Sequence, residues 1–263
     1  MRRTSVALLG TALVALAACA PAGAGTGPDA AAPGVVRLRV EVLAEQPHDR
    51  TAFTQGLELA DGVLYEGTGL SGRSQLRELD PATGAVRRAA DLPDGAFGEG
   101  IAVVGPRIWQ LTWQDGYALE WDRATLTVLR RVPIDGEGWG LCFDGTRLVR
   151  SDGTARLRFH DPETFTELGE VPVTLGDQPL PEINELECVD GRVWANVWRT
   201  ERIVAIDPAT GRVTAVVDAA GLLPAQARAG TDVLNGIAVL GPGEYLLTGK
   251  LWPAAYRVRF VPD

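Results

Sequence analysis

The chain repeats itself, and that repeat constrains its fold more than any other feature. A small-apolar pair opening a short strand recurs as Gly56-Leu57, Gly100-Ile101, Gly140-Leu141, Glu185-Leu186 and Gly236-Ile237. Turn residues follow: Asp61-Gly62, Asp144-Gly145 and Asp190-Gly191, with Gly105-Pro106 and Gly241-Pro242 in the other copies. Glycine accepts positive φ and aspartate caps a turn locally, so each pair marks a hairpin. A second strand comes next, as in Val63-Leu64-Tyr65, Ile108-Trp109-Gln110-Leu111 or Val193-Trp194-Ala195-Asn196-Val197. A further turn marker then appears in Asp80-Pro81-Ala82-Thr83-Gly84, Asp122-Arg123-Ala124-Thr125, Asp161-Pro162-Glu163-Thr164 and Asp207-Pro208-Ala209-Thr210-Gly211, its aspartates 42, 39 and 46 residues apart. These four aspartates are read as structural. Four short strands in roughly 40 to 50 residues, repeated five times, are the signature of a β-propeller.

The expected fold is therefore all-β, a five-bladed β-propeller over residues 34–263. Its fifth unit, with strands at Gly236–Val239, Tyr245–Thr248 and Tyr256–Phe260, lacks an outer strand before the chain ends. The alternating segment Val35–Val42 can supply it, so the N-terminal strand is expected to close the last blade and remove its open edge. The segment Gln178–Asn184, with Pro179 and Pro181, reads as an unstranded insert, and Leu222–Asp232 as room for a short helix.

The first residues read as an address. Arg2 and Arg3 precede an apolar run from Val6 to Ala18, the length of a signal-peptide core and too short to span a bilayer. The run ends Leu16-Ala17-Ala18-Cys19, which resembles the lipobox of bacterial lipoproteins. Residues 1–18 are expected to be a lipoprotein signal, Cys19 the acylated residue, and 19–33 a flexible Ala/Gly/Pro tether. An ordinary secretory signal with an incidental cysteine is the alternative. Either way the chain is expected to be exported to the cell envelope or periplasm.

Charge and cysteine usage exclude several classes. Lys and Arg total 25 against 34 Asp and Glu, a formal net charge of −9, which argues against nucleic acid or an anionic membrane surface as partner. Cys142 and Cys188 stand at similar places in successive repeats, which leaves a disulfide and two buried thiols equally open. With only His48 and His160 besides, read as linker and turn residues, no cluster has the spacing of a zinc site. No Gly-rich phosphate loop follows a strand and opens a helix.

The functional candidates are what the repeats leave unexplained. In a blade, residues before the first strand and after the second share one rim. That rim collects Phe53-Thr54-Gln55, Phe97-Gly98-Glu99, Thr112-Trp113, Gly138-Trp139, Ile183-Asn184, Val197-Trp198, Leu234-Asn235 and Gly249-Lys250. Aromatics around a few convergent polar groups form the usual small-ligand site. Asn184 and Asn235 could instead be left-handed turn formers, and Trp109, Trp121 and Trp194, inside strands, read as packing. Lys250 is singular: the chain uses arginine at its 24 other cationic positions. Lysine offers a compact charge and an amine whose pKa can fall on burial.

These segments, from Phe53-Thr54-Gln55-Gly56-Leu57 through Thr248-Gly249-Lys250-Leu251-Trp252-Pro253, resemble the motifs of the plant-type glutaminyl-peptide cyclotransferases, also found in bacteria. The resemblance runs in order over roughly residues 40 to 258. Gln114 departs from it, standing where a lysine is expected. The resemblance implies a five-bladed propeller, no cofactor, no metal, and peptides or proteins with N-terminal glutamine as partners. It implies a pocket of Phe53, Phe97, Trp113, Trp139 and Trp198 for binding, with Glu99, Lys250, Asn184 and Gln55 as catalytic residues. Glu99 would be the general acid/base, with Lys250, Gln55 and Asn184 as candidate oxyanion donors. The chain is expected to be a monomer; the alternative is a lipid-anchored propeller that binds peptides or envelope proteins without catalysis.

Overall fold

The computed structural model describes residues 34–263; the expected signal, Cys19 and the tether lie outside the described residues. The chain is all-β and propeller-like. It opens with β1 (Val36–Pro47). Three four-stranded antiparallel sheets contain, in order, β2 (Thr54–Ala60), β3 (Val63–Thr68), β4 (Gln75–Leu79) and β5 (Val86–Asp91), then β6 (Gly98–Val104), β7 (Arg107–Thr112), β8 (Tyr117–Asp122) and β9 (Thr127–Pro133), and then β10 (Leu141–Phe143), β11 (Leu148–Arg150), β12 (Arg156–His160) and β13 (Glu167–Pro172). A two-residue pair, β14 (Thr174–Leu175) and β15 (Gln178–Pro179), follows. Next come β16 (Ile183–Val189), β17 (Arg192–Val197), β18 (Arg202–Ile206) and β19 (Val213–Asp218), and last β20 (Leu234–Gly241), β21 (Glu244–Gly249) and β22 (Ala254–Pro262).

The terminal strand pairs as expected and does more besides. β1 runs antiparallel to β22 from Leu38↔Pro262 to Pro47↔Ala254. It also pairs in parallel with β19 through Val36–Arg39, which fuses the last two sets of strands into one eight-stranded sheet. An edge that sequence reading leaves open on β19 is thereby covered. The turn aspartates act as anticipated: the carboxylates of Asp80, Asp122, Asp161 and Asp207 each accept hydrogen bonds from backbone N–H groups two or three residues on.

The recurrent glycine has a packing reason. Opening strands contact one another in a cycle, β2 to β6 to β10 to β16 to β20 and back to β2. A Cβ on Gly56 would lie 2.6 Å from the Ile101 nitrogen, one on Gly100 2.6 Å from the Trp139 oxygen, and one on Gly140 2.0 Å from the Asn184 oxygen. Only glycine lets neighbouring backbones approach this closely. In the fourth copy Glu185 takes the place of glycine. Its buried carboxylate accepts from the Leu57 nitrogen of β2 at 3.3 Å and the Ile237 nitrogen of β20 at 3.0 Å, tying three opening strands together.

Several expectations are corrected. Gln178–Asn184 is not strand-free: Gln178–Pro179 pair with Thr174–Leu175, and β16 begins at Ile183. Within Leu222–Asp232 only the single 3-10 turn Ala225–Ala227 is helical. His48 is no linker residue; it is buried, with Nδ1 on the Trp252 carbonyl oxygen at 2.8 Å and Nε2 on Glu66 at 3.0 Å. His160 is also buried, stacked on Phe165. Cys142 and Cys188 form a disulfide, since β10 and β16 lie side by side and bring their Cα atoms to 5.5 Å. Trp109, Trp121 and Trp194, by contrast, are core residues as expected.

Candidate active site

The site residues stand where the ladders break. Pairing between β2 and β3 slips between Thr54 and Gly56, around Gln55; between β6 and β7 it slips from Gly98 to Ile101, around Glu99. The same irregularity falls between Ile183 and Leu186, around Asn184, and between Leu234 and Ile237, around Asn235. A bulge releases a side chain from strict alternation and re-aims it. Four opening strands thus turn a polar side chain out of the ladder at one end.

Hydrogen bonds beyond the strand ends place the aromatics. The Trp113 nitrogen donates to the Phe97 oxygen, Trp139 to Ser151, and Trp198 to Glu182. Lys250 donates to the Val233 oxygen while Asp232 donates back to Lys250, and the Leu251 nitrogen reaches Ala52, next to Phe53. The result is a cavity of about 240 Å³ lined by Phe53, Gln55, Phe97, Glu99, Trp113, Trp139, Asn184, Trp198, Asp232 and Lys250. All nine residues expected at the site on the described chain line it.

One wall is a run of rings, Phe53 edge-on to Phe97 at 6.1 Å and Phe97 against Trp113 at 5.5 Å. Trp139 and Trp198 meet edge-to-face at 5.3 Å. A single carboxylate that sequence reading missed braces part of this aromatic lining. Glu137 Oε2 accepts from Nε1 of both Trp113 and Trp139 at 2.8 Å, and its Oε1 accepts from Gln114 at 2.7 Å. The substitution of glutamine for the expected lysine at 114 therefore keeps a donor on Glu137. Asp232 was missed as well.

The polar groups are differentiated. Glu99 is 4% exposed, and burial pushes its carboxyl well above the usual carboxylate range, with Lys250 pulling it down and Glu137 adding to the rise. Gln55 Nε2 donates to Glu99 Oε1 at 2.9 Å, and Gln55 Oε1 accepts from Asn235 at 3.3 Å. Gln55 thus holds the carboxyl, a task different from the oxyanion donor expected of it. Asn235 is buried in β20 and bonded to the Thr54 oxygen at 3.0 Å; neither it nor Asn184 is a left-handed turn former. Asn184 lines the cavity, while its Oδ1 is shut away from solvent and has no hydrogen-bond partner among the described residues.

Lys250 is 5% exposed, its Nζ 4.9 Å from the centre of the Phe53 ring. Burial lowers its pKa, while Glu99 and Asp232 oppose that fall. A raised carboxyl and a buried amine in an aromatic cavity can move a proton and oppose a developing negative charge. Those are the requirements of acyl transfer.

Known proteins share this arrangement of sequence and fold. A family model described as glutamine cyclotransferase matches residues 12–260. A glutaminyl-peptide cyclotransferase of Arabidopsis thaliana is 38% identical over 227 residues, covering 84% of this chain and 71% of that protein. The crystal structure of Myxococcus xanthus glutaminyl cyclase superimposes with a TM-score of 0.80 at 41% identity, covering 87% of this chain and 99% of that one.

Proposed function

The chain belongs to the glutamine cyclotransferase family, and from that premise we propose that its aromatic cavity is the catalytic site, with Glu99 as general acid/base. The activity is that of a glutaminyl-peptide cyclotransferase: an N-terminal glutamine becomes pyroglutamate and ammonia leaves. The observation that carries the assignment of roles is the raised, buried carboxyl of Glu99, held by Gln55 inside a cavity that also contains Lys250.

The reaction needs a neutral α-amine, whose pKa in a free peptide is about 8. As the neutral amine attacks, its nitrogen must give up one N–H proton, and a carboxylate with a raised pKa accepts that proton at smaller cost than an ordinary one. The amine nitrogen attacks the γ-carboxamide carbon, forming a C–N bond and placing negative charge on the carboxamide oxygen. Lys250 Nζ faces that charge, with Asn184 as a further candidate donor to it. Glu99 then returns the proton to the carboxamide nitrogen, the old C–N bond breaks, and ammonia departs. Atoms and charge balance without a cofactor or a metal, so EDTA should leave turnover intact. The five aromatic residues exclude water and hold the glutamine bent on itself, and such positioning has a large effect on an intramolecular attack.

The purified protein should release ammonia from a Gln-initiated peptide, and Glu99→Gln should lower kcat by about 10²-fold or more while leaving the circular dichroism unchanged. Wild-type turnover by that variant would remove Glu99 from the mechanism. Peptide binding without ammonia release would return the chain to a binding propeller.

The architecture is read as five-bladed, the eight-stranded sheet being two blades fused through β1; the cyclic contact of the five opening strands supports this. A count of blades in a crystal structure tests it. The lipobox-like Leu16-Ala17-Ala18-Cys19 and the Cys142–Cys188 disulfide support export and anchoring by lipid at Cys19. An unmodified Cys19, or cleavage elsewhere, in the mass spectrum of the mature protein would overturn the anchor.

A further inference from the structure

The glutamine that enters the cavity is the first residue of a longer chain, and its own carbonyl must carry that chain out again. Asp232 lines the cavity and also a neighbouring cleft of about 580 Å³. Buried Leu223, Leu234 and Trp252 line this cleft together with Arg199, Glu201 and Arg228. The two recesses meet a second time at adjacent residues: Trp198 walls the first, and Arg199 lines the second with its guanidinium carbon 3.9 Å from the Trp198 ring centre. An extended peptide advances about 3.3–3.6 Å per residue, so the next two residues reach roughly 7 Å past the glutamine.

The charges in the cleft are unequal in their freedom. Arg228 is paired with Glu201 at 2.5 Å and donates to the Leu223 oxygen at 3.1 Å, which engages its guanidinium. Arg199 has no carboxylate within 4.0 Å among the described residues, and its contact is the face of Trp198. Its backbone, at φ 61°, sits in the left-handed region inside the turn after β17, which fixes where the side chain departs. A guanidinium stacked on an indole keeps its N–H edge open to a planar anion.

We propose that this cleft is the subsite for the residues that follow the N-terminal glutamine, and that Arg199 there pairs with a substrate carboxylate. The carboxylate belongs to an acidic side chain or to the free C-terminus of a short peptide. This rests on the cyclotransferase reading and names the substrate class that the site favours. The pair forms with ground and transition state alike, so it lowers KM and leaves kcat unchanged.

The test is ammonia release from two matched pairs of peptides: Gln-Ala against its C-terminal amide, and Gln-Ala-Glu amide against Gln-Ala-Gln amide. In the wild type the acidic member of at least one pair should have a KM lower by about three- to ten-fold. The pair that responds identifies the source of the carboxylate. Arg199→Gln should bring the ratio to about one, and Arg199→Glu should invert it. In the wild type itself the preference should shrink at high ionic strength, a readout that needs no variant. A ratio near one in both wild-type pairs, a ratio preserved in Arg199→Gln, or a preference insensitive to salt would overturn the proposal. Turnover of the neutral amides without any acid preference leaves the cyclotransferase reading standing and removes this one. No ammonia from any of the four peptides removes both.

Discussion

Lys250 stands alone among 24 arginines, and its surroundings explain why an arginine would not serve. It is buried in a cavity of about 240 Å³, against the Phe53 ring and within the fields of Glu99 and Asp232. A guanidinium is larger, planar and permanently charged, whereas the ammonium is compact and its pKa falls on burial. Lys250→Arg should lower kcat by at least about ten-fold with the fold intact, and steady-state ammonia release reads it directly. An unchanged kcat would make the lysine incidental. Most of the site was legible at this scale because its residues sit in motif-like segments beside the repeats. Asp232 and Glu137 were not. Asp232 follows a long connection and has no counterpart in other repeats, so only its proximity to Lys250 marks it. Glu137 did carry a signal, since Gly136-Glu137-Gly138 echoes Gly98-Glu99-Gly100, but that it bridges two indoles depends on where Trp113 and Trp139 meet.

At the scale of the element, the bulges at the head of β2 and β6 combine two demands. Glycine permits close strand approach around the axis, and the slipped register beside it frees a polar side chain for the rim. Below that rim the Cys142–Cys188 disulfide joins β10 to β16, neighbours in the cycle, across a sequence separation of 46. The cross-link restricts the unfolded chain, so replacing both cysteines by serine should lower stability by about 2–4 kcal/mol. Urea unfolding of the wild type, its reduced form and the double variant measures this. Coincident midpoints would mean that packing alone holds the two strands. The pairing could not be read from the spacing, because 46 residues fits a disulfide and two separate thiols equally. Strand adjacency decided it.

Over the whole molecule, the axis concentrates carboxyls whose protonation couples stability to pH. Burial raises Glu58 to about 7 and lifts Glu185 and Glu187 well above the ordinary range, and nearby carboxylates add to the rise in Glu185 and Glu187. For Glu58, the Val103 N–H and Arg123 act against burial without cancelling it. Between pH 4.5 and about 7 the folded protein then holds a proton that the unfolded chain has released, so this group's contribution to stability falls as pH rises. Glu58→Gln should remove that slope. Its urea midpoint relative to wild type should increase from pH 4 to pH 8, and a pH-independent difference would refute the assignment. His48 works in a higher window. Burial depresses its pKa, but Glu66 more than compensates and the net shift is upward, so its contribution is present below about 6.5 and is lost as pH rises through the raised value.

The sequence by itself determined the repeating unit, the position of the rim and the chemical types gathered there. Alternation, turn aspartates and glycines act over a few residues and need no knowledge of the rest of the chain. Tertiary structure alone decided that β1 pairs with both β22 and β19, that Cys142 finds Cys188, that Gln55 holds Glu99, and that Glu185 reaches two other opening strands. It also decided which carboxyls keep their protons. Each of these depends on burial and on charges or donors distant in sequence, and those energies exist only once the chain has folded.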